Sequence, residues 1–474
     1  MKKSELVFIP APGIGHLVST LEFGKRLIDR EDGLSITVLS MKFPLVPFSD
    51  EFAKSLVASH HGIKLIELPE VDPPSPDLLC SPENFICASI ESFIPHVRNT
   101  LTDIVSHSCS NSSDSCQVAG LVLDFFCLSF MDVGHELGLP SFMFLTSNSG
   151  FLGLMLYLPA RHSENSSEFE ESDPDQLLPG FSKPVPVSVL PSAVFNKDGG
   201  YAAYVKLAQR FRDTKGIIVN SIAELESKAV DTLTDGQTPP VYMVGPVLDL
   251  KGQPHPSLDL AQRDKIINWL DDQPESSVVY LCFGSMGSFG AIQLREIASG
   301  LERSGHRFLW SMRLPHQAKT PDDILPEGFS ERIGGKGMIC GWAPQTEVLS
   351  HKAIRGFVSH CGWNSILESL WYGVPIATWP IYAEQQLNAF LMVKEFGLAV
   401  ELKLDYRVGD LVMADEIEIA VRRLMDSDSD SDGDKLRKKV KEMGEMTRKA
   451  VMEGGSSYDA VGQLLKVFLG RNSS

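Results

Sequence analysis

Two histidines in this 474-residue chain stand where a side chain can reach a substrate. His16 closes Pro12-Gly-Ile-Gly-His16, directly after the apolar run Leu6–Pro10. A side chain at a strand-to-helix turn can point beyond the sheet edge, and an imidazole that titrates near neutrality can accept a proton from a hydroxyl. The bland reading, a structural histidine, stands beside that one. Asp124 ends the apolar run Gly120–Asp124, just before Phe125-Phe126. A carboxylate there needs a partner if buried, which makes it a candidate to orient His16; alternatively it caps the helix that starts at Cys127.

The second histidine lies in Trp342–Gln385, a segment dense in aromatic, amide and acidic residues. Phe357–Ser359 reads as a strand, His360-Cys-Gly as a turn, and Trp363–Tyr372 as a helix closed by Gly373 and Pro375. That turn sets His360 and the backbone N–H groups of Asn364 and Ser365 at a positive helix end, a geometry suited to a diphosphate. Glu368, one helical turn beyond Asn364, has two oxygens for a ribose diol. Trp342 and Gln345, after the strand Gly337–Cys340, offer a stacking face and an amide. An ordinary strand–turn–helix with buried tryptophans is the alternative.

The elements that would position these residues alternate. Short β-rich runs (Leu6–Pro10, Ser35–Ser40, Gly120–Asp124, Pro140–Leu145) alternate with helical patterns at Leu17–Ile28 and Cys127–Leu137. Leu17, Leu21, Gly24 and Ile28 share one helix face. A second series runs from Val278–Phe283 to Val374–Trp379. The expected fold class is therefore α/β, with two facing Rossmann-like, doubly wound domains and a cleft between them. The expected division is residues 1–249 for the acceptor, a linker at 250–258, 259–455 for the nucleotide sugar, and a final helix within 456–474. The polar stretches His107–Gln117, His162–Gln176 and Asp426–Asp434 read as mobile surface insertions.

Composition removes several classes. Apolar residues at 43% and charged residues at 22% describe a globular protein, and a net charge of −18 disfavours nucleic acid or an anionic membrane as a partner. No apolar run is long enough to span a membrane. The N-terminal apolar run is too short for a secretion signal, so the expected location is cytoplasmic. Eight scattered cysteines read as reduced thiols. A nicotinamide or flavin fold is disfavoured because Val18 stands where the dinucleotide fingerprint needs its third glycine. Asp428, Asp430 and Asp432 imitate a calcium loop, but Lys439 falls where the bidentate glutamate belongs, so no metal is expected.

The Trp342–Gln385 segment resembles the signature box of plant family 1 glycosyltransferases along its whole length, and the resemblance extends to His16, Asp124 and Gly284-Ser285. Among subfamilies it is most similar to enzymes that glucosylate phenolics and terpenoids. The resemblance implies a GT-B-like fold and UDP-glucose as donor substrate, with no cofactor. Trp342 would stack on uracil while the Ala343 backbone pairs with its edge. Gln345 and Glu368 would hold the ribose, and Ser285, His360, Asn364 and Ser365 the diphosphate. Trp363, Glu384 and Gln385 would contact the sugar, Gln385 favouring glucose over galactose. Thr146 matches a family threonine that contacts sugar or acceptor, and Arg355 stands where glycine is common. The last helix would return to the first domain; from the residues alone it could equally cap the second.

The expected reaction is an inverting displacement on a small hydrophobic acceptor, with His16 as base and Asp124 orienting it, by a monomer. Phe125-Phe126, Phe142–Phe144 and Phe151–Tyr157 read equally as acceptor pocket or as core. A non-catalytic nucleotide-sugar sensor would keep the box without needing His16 and Asp124 together.

Overall fold

The computed structural model describes residues 3–43, 50–58, 62–108, 116–234, 236–251, 259–315, 318–407, 409–426 and 432–471. The linker expected at 250–258 falls almost wholly outside them, as do parts of two polar stretches, 109–115 and 427–431. The chain divides into two compact units, residues 1–187, 193–249 and 449–474 in the first, and 188–192 and 250–448 in the second.

In the first unit a parallel sheet is built from β1 (Ser4–Ile9), β2 (Leu34–Ser40), β3 (Ile63–Glu67), β4 (Gln117–Asp124), β5 (Ser141–Leu145), β6 (Ile217–Val219) and β7 (Val241–Met243). Its order is β3-β2-β1-β4-β5-β6-β7. Strands in such a sheet are covered on both faces, which is why Leu6, Val7, Phe8 and Ile9 are all apolar and all fully buried. Helix Ile14–Ile28 packs on the sheet through Leu17, Leu21 and Gly24. A Cβ added at Gly24 would stand 3.1 Å from Ile36 Cδ1, so the glycine lets helix and strand approach. The C-terminal helix Ser456–Phe468 belongs to the same unit. Its Val461, Leu464, Leu465 and Phe468 enter the core beside Leu6 and Phe144, and Phe468 meets Phe142 edge-on at 4.7 Å.

The second unit holds β8 (Val278–Cys282), β9 (Arg307–Ser311), β10 (Gly337–Cys340), β11 (Ile354–Ser359), β12 (Ile376–Thr378) and β13 (Ala399–Glu401), all parallel, in the order β10-β9-β8-β11-β12-β13. Both sheets reverse their winding once, between β1 and β4 in the first and between β8 and β11 in the second. Helices leave a doubly wound sheet on opposite faces at such a point, so the loops after the two strands part and a ligand can enter.

Two expectations are corrected, and one left open is decided. Residues 162–176 do not form a loose insertion. Arg161, itself buried, donates to the carbonyls of Ser167 (2.6 Å) and Glu168 (3.3 Å), pairs with Asp173 and lies 3.7 Å over the ring of Phe169, which is in the core. Polar composition concealed one cation that satisfies several loop carbonyls. Helical structure after β4 starts as a 3-10 turn at Phe125–Phe130 and becomes α-helix only over Met131–Glu136. Phe142, Phe144 and Phe151 are core residues, each about 1% exposed, so they do not line an acceptor pocket.

Candidate active site

In the first unit the loops after β1 and β4 meet at the winding reversal. The helix after β1 begins at Ile14, three residues earlier than its apolar periodicity indicates, so His16 stands in its first turn. His16 Nδ1 lies 2.7 Å from Asp124 Oδ2, with the imidazole 29% exposed and the carboxylate fully buried. Asp124 Oδ1 accepts the Phe126 N–H at 3.0 Å. Both readings of Asp124 therefore hold, one on each oxygen: it caps the 3-10 turn and it grips the histidine. A carboxylate oxygen accepts, so Nδ1 carries the donated proton and Nε2 keeps the lone pair. Thr146 Oγ1, after β5, is 3.2 Å from the same Nδ1. The rings of Phe125 and Phe126 stand 6.1 and 6.2 Å from the imidazole, Phe125 buried and Phe126 half-buried.

In the second unit His360 opens the loop after β11, and it is 6% exposed. Its ring is framed by two glycines: a Cβ built on Gly284 or on Gly362 would stand 2.6 Å from Nε2. Gly284 also has φ +73°, the left-handed region, and it precedes Ser285, exposed in the loop after β8. Burial pushes the His360 imidazole down to about 4, so the ring is neutral at physiological pH. Helix Trp363–Tyr372 starts at Gly362, which brings no side chain to cap it. Its first turn, with Asn364 and Ser365, is thus suited to an anion.

Gln345 ties the nucleotide candidates together, its Nε2 donating to Ser365 Oγ at 2.8 Å and to Glu368 Oε2 at 2.7 Å. The half-buried Trp342 follows β10, its carbonyl accepts from Gln262, and the Arg313 guanidinium lies 5.5 Å from its ring. Ala343 and Trp363 are both buried. Gln385 Oε1 accepts the N–H groups of Ile381 (2.9 Å) and Tyr382 (3.1 Å), which fixes the amide and turns its NH2 end elsewhere.

The sequence reading missed the residues that hold this frame. Asn388, wholly buried, donates to Cys361 O at 3.0 Å and Glu384 Oε1 at 3.4 Å, linking the His360 turn to the Glu384 turn. Cys361 and Ala383 both adopt positive φ, 62° and 55°, without being glycine. Their only sequence signal was buried amides in an apolar helix, Gln386 and Asn388. Arg355 pairs with Asp434 at 3.7 Å and donates to Asp426 O at 3.4 Å, bracing the base of helix Asp432–Ala450. Among the described residues no three His, Cys, Asp or Glu side chains are grouped to hold a metal, and no helix is long and apolar enough to cross a membrane.

Two parallel doubly wound sheets, each with candidate ligand residues at its winding reversal, are the GT-B class of fold. Residues 247–430 match the family model for UDP-glucoronosyl and UDP-glucosyl transferases. The chain is 55% identical to UDP-glycosyltransferase 71K1 of Malus domestica over the whole of both chains. It is 52% identical to the flavonol 3-O-glucosyltransferase UGT71C4 of Arabidopsis thaliana, over 98% of each. The crystal structure of Medicago truncatula UGT71G1 with UDP-glucose superposes with a TM-score of 0.91 at 57% identity, covering 98% of both chains. The chain belongs to the plant family 1 UDP-glycosyltransferases and is a UDP-dependent glycosyltransferase.

Proposed function

We propose that the enzyme transfers glucose from UDP-glucose to a hydroxyl of a small hydrophobic acceptor, a flavonoid, another phenolic or a terpenoid, with inversion at the anomeric carbon. The observation that carries the reading is the His16–Asp124 pair at 2.7 Å, which commits Nδ1 to the carboxylate and so assigns the role of base to Nε2. As the acceptor oxygen forms its bond to the anomeric carbon, its proton passes to Nε2. The bond from that carbon to the UDP oxygen breaks, and Asp124 stabilises the imidazolium. Thr146, on Nδ1, helps to set the ring plane. Phe125 and Phe126 give the acceptor an apolar wall beside the base, consistent with planar guests.

On the donor side the reading places uracil on Trp342 and the Ala343 backbone, and the ribose on Gln345 and Glu368. The diphosphate takes Ser285, His360, Asn364 and Ser365, and the hexose Trp363, Glu384 and Gln385. Charge that develops on the departing diphosphate is met by the open end of helix Trp363–Tyr372 and by neutral donors. This reading needs no cofactor and no metal, so a chelator leaves turnover unchanged. It also carries a cytoplasmic monomer, which light scattering and a fluorescent fusion check.

The direct test incubates the purified chain with UDP-glucose and a panel of phenolic and terpenoid alcohols. A product heavier by one hexosyl group, with the β-configuration by NMR, is expected for planar phenolics. No product with any acceptor, or a product retaining the α-configuration, overturns the proposal. UGT71C4 is named for transfer to the 3-hydroxyl of flavonols, which makes flavonols the first acceptors to try.

A further inference from the structure

The turn that carries Glu384 and Gln385 is held from behind by residues outside the signature segment. Ala383, just before the pair, sits at φ +55°, where a residue with a Cβ is disfavoured, so its neighbours must hold it there. Tyr406 supplies that hold: its hydroxyl donates to Ala383 O at 2.9 Å. The same oxygen accepts the Ser192 N–H at 3.0 Å and lies 3.2 Å from Ser192 Oγ.

Ser188–Ser192 is a five-residue strap that belongs to the second unit, although the chain on either side of it belongs to the first. Gln386, next to Gln385 and wholly buried, locks strap and tyrosine together. Its Nε2 donates to Leu190 O, and its Oε1 accepts the Tyr406 N–H at 3.2 Å. Arg407 adds a bond to Ser188 O at 3.3 Å. One phenol thus joins the strap to the carbonyl that sets the direction of the Glu384–Gln385 turn.

We propose that Tyr406 is a positioning residue for the donor sugar: through Ala383 it fixes the angle at which Glu384 and Gln385 meet the hexose hydroxyls, and the Ser188–Ser192 strap fixes Tyr406. The inference rests on the reading that this pair takes the hexose. The effect falls first on the hexose, because Gln345 ties Ser365 and Glu368 together by separate bonds, while the Glu384 turn reaches the His360 turn through the longer 3.4 Å bond from Asn388.

The test is Tyr406→Phe, which removes one hydroxyl and keeps the ring. The KM for UDP-glucose is expected to rise about three- to tenfold, the loss of one or two oriented hydrogen bonds. The preference for UDP-glucose over UDP-galactose falls with it, while the Kd for UDP, which lacks the hexose, stays within about twofold. Ser192→Ala repeats the shift on a smaller scale. Wild-type KM and donor preference in Tyr406→Phe would overturn the inference, and so would a UDP Kd that rises as far as KM, since the tyrosine would then serve the fold at large. Gln385→Ala, measured alongside, separates the two layers. If it leaves KM and donor preference untouched, the assignment of the pair to the hexose fails; if it shifts both and Tyr406→Phe shifts neither, only the role of Tyr406 fails.

Discussion

Each unit of this molecule places a histidine just beyond a strand at the winding reversal of its sheet, and the two rings have opposite surroundings. His16 follows β1, is 29% exposed, and is gripped by a buried carboxylate from the loop after β4. His360 follows β11, is 6% exposed, and meets glycines from the loops after β8 and β11 where His16 meets an acid. The first environment orients the ring, its Nδ1–H held by the carboxylate. The second removes the charge and leaves a fixed, neutral ring. Topology puts an imidazole at the same place in each sheet; the residues around it decide whether the ring is gripped by a carboxylate or buried and neutral.

The largest effect expected from this contrast is kinetic. His16→Ala should lower kcat by about 10²–10⁴-fold with the fold retained by circular dichroism, whereas a base at His360 would leave His16→Ala near wild type. Stability against pH gives the complementary test on the other ring. The unfolded His360 has its usual value of 6.5 and the folded one about 4, so between those values the unfolded chain binds a proton that the folded chain refuses. Its contribution to stability is complete above about pH 6.5, declines by roughly 3 kcal/mol as the pH falls to about 4, and changes no further below that. Denaturant titrations of His360→Gln should lack this decline relative to wild type; parallel curves would show that burial does not hold the ring neutral. Asp124→Asn comes next. Asparagine can still accept the Phe126 N–H, but it no longer stabilises the imidazolium, so kcat should fall by about 10²-fold while helix content is kept. Equal rates would reduce Asp124 to a cap.

Much of this was legible before any coordinates. Asp124 closes an apolar run and His16 closes the glycine-containing turn that follows one, and the helix Trp363–Tyr372 ends at the glycine stop that the cap rules select. The strands β3, β6, β7 and β13 were not read: β3, β7 and β13 lie at sheet edges, where exposed and half-buried residues break up the apolar run, and β6 has only three residues. Polarity misled at 162–176, where a single buried arginine anchors a segment whose composition looks solvated. The framing of His360 was invisible for another reason: glycine gives no side-chain signal, and Gly284 is 76 positions from the ring it faces. Tyr406 and Asn388 belong to the same class, residues whose value lies in a long-range bond to a backbone carbonyl.

Gly284→Ala probes that invisible part and should have the smallest effect of the set. The new methyl group would stand 2.6 Å from His360 Nε2, closer than real Cβ contacts come, and alanine at φ +73° is strained as well. The loop after β8 must then shift, and Ser285 moves with it. Since the ring is packed and neutral, the loop gives way first, so the Kd for UDP should rise about tenfold, near 1.4 kcal/mol, with uridine binding barely changed. Calorimetry with UDP and uridine separates the diphosphate from the base. A uridine affinity that falls as far as that of UDP would mean that Gly284 supports the nucleoside side of the site, and that the glycine frame does not set the diphosphate apart from the rest.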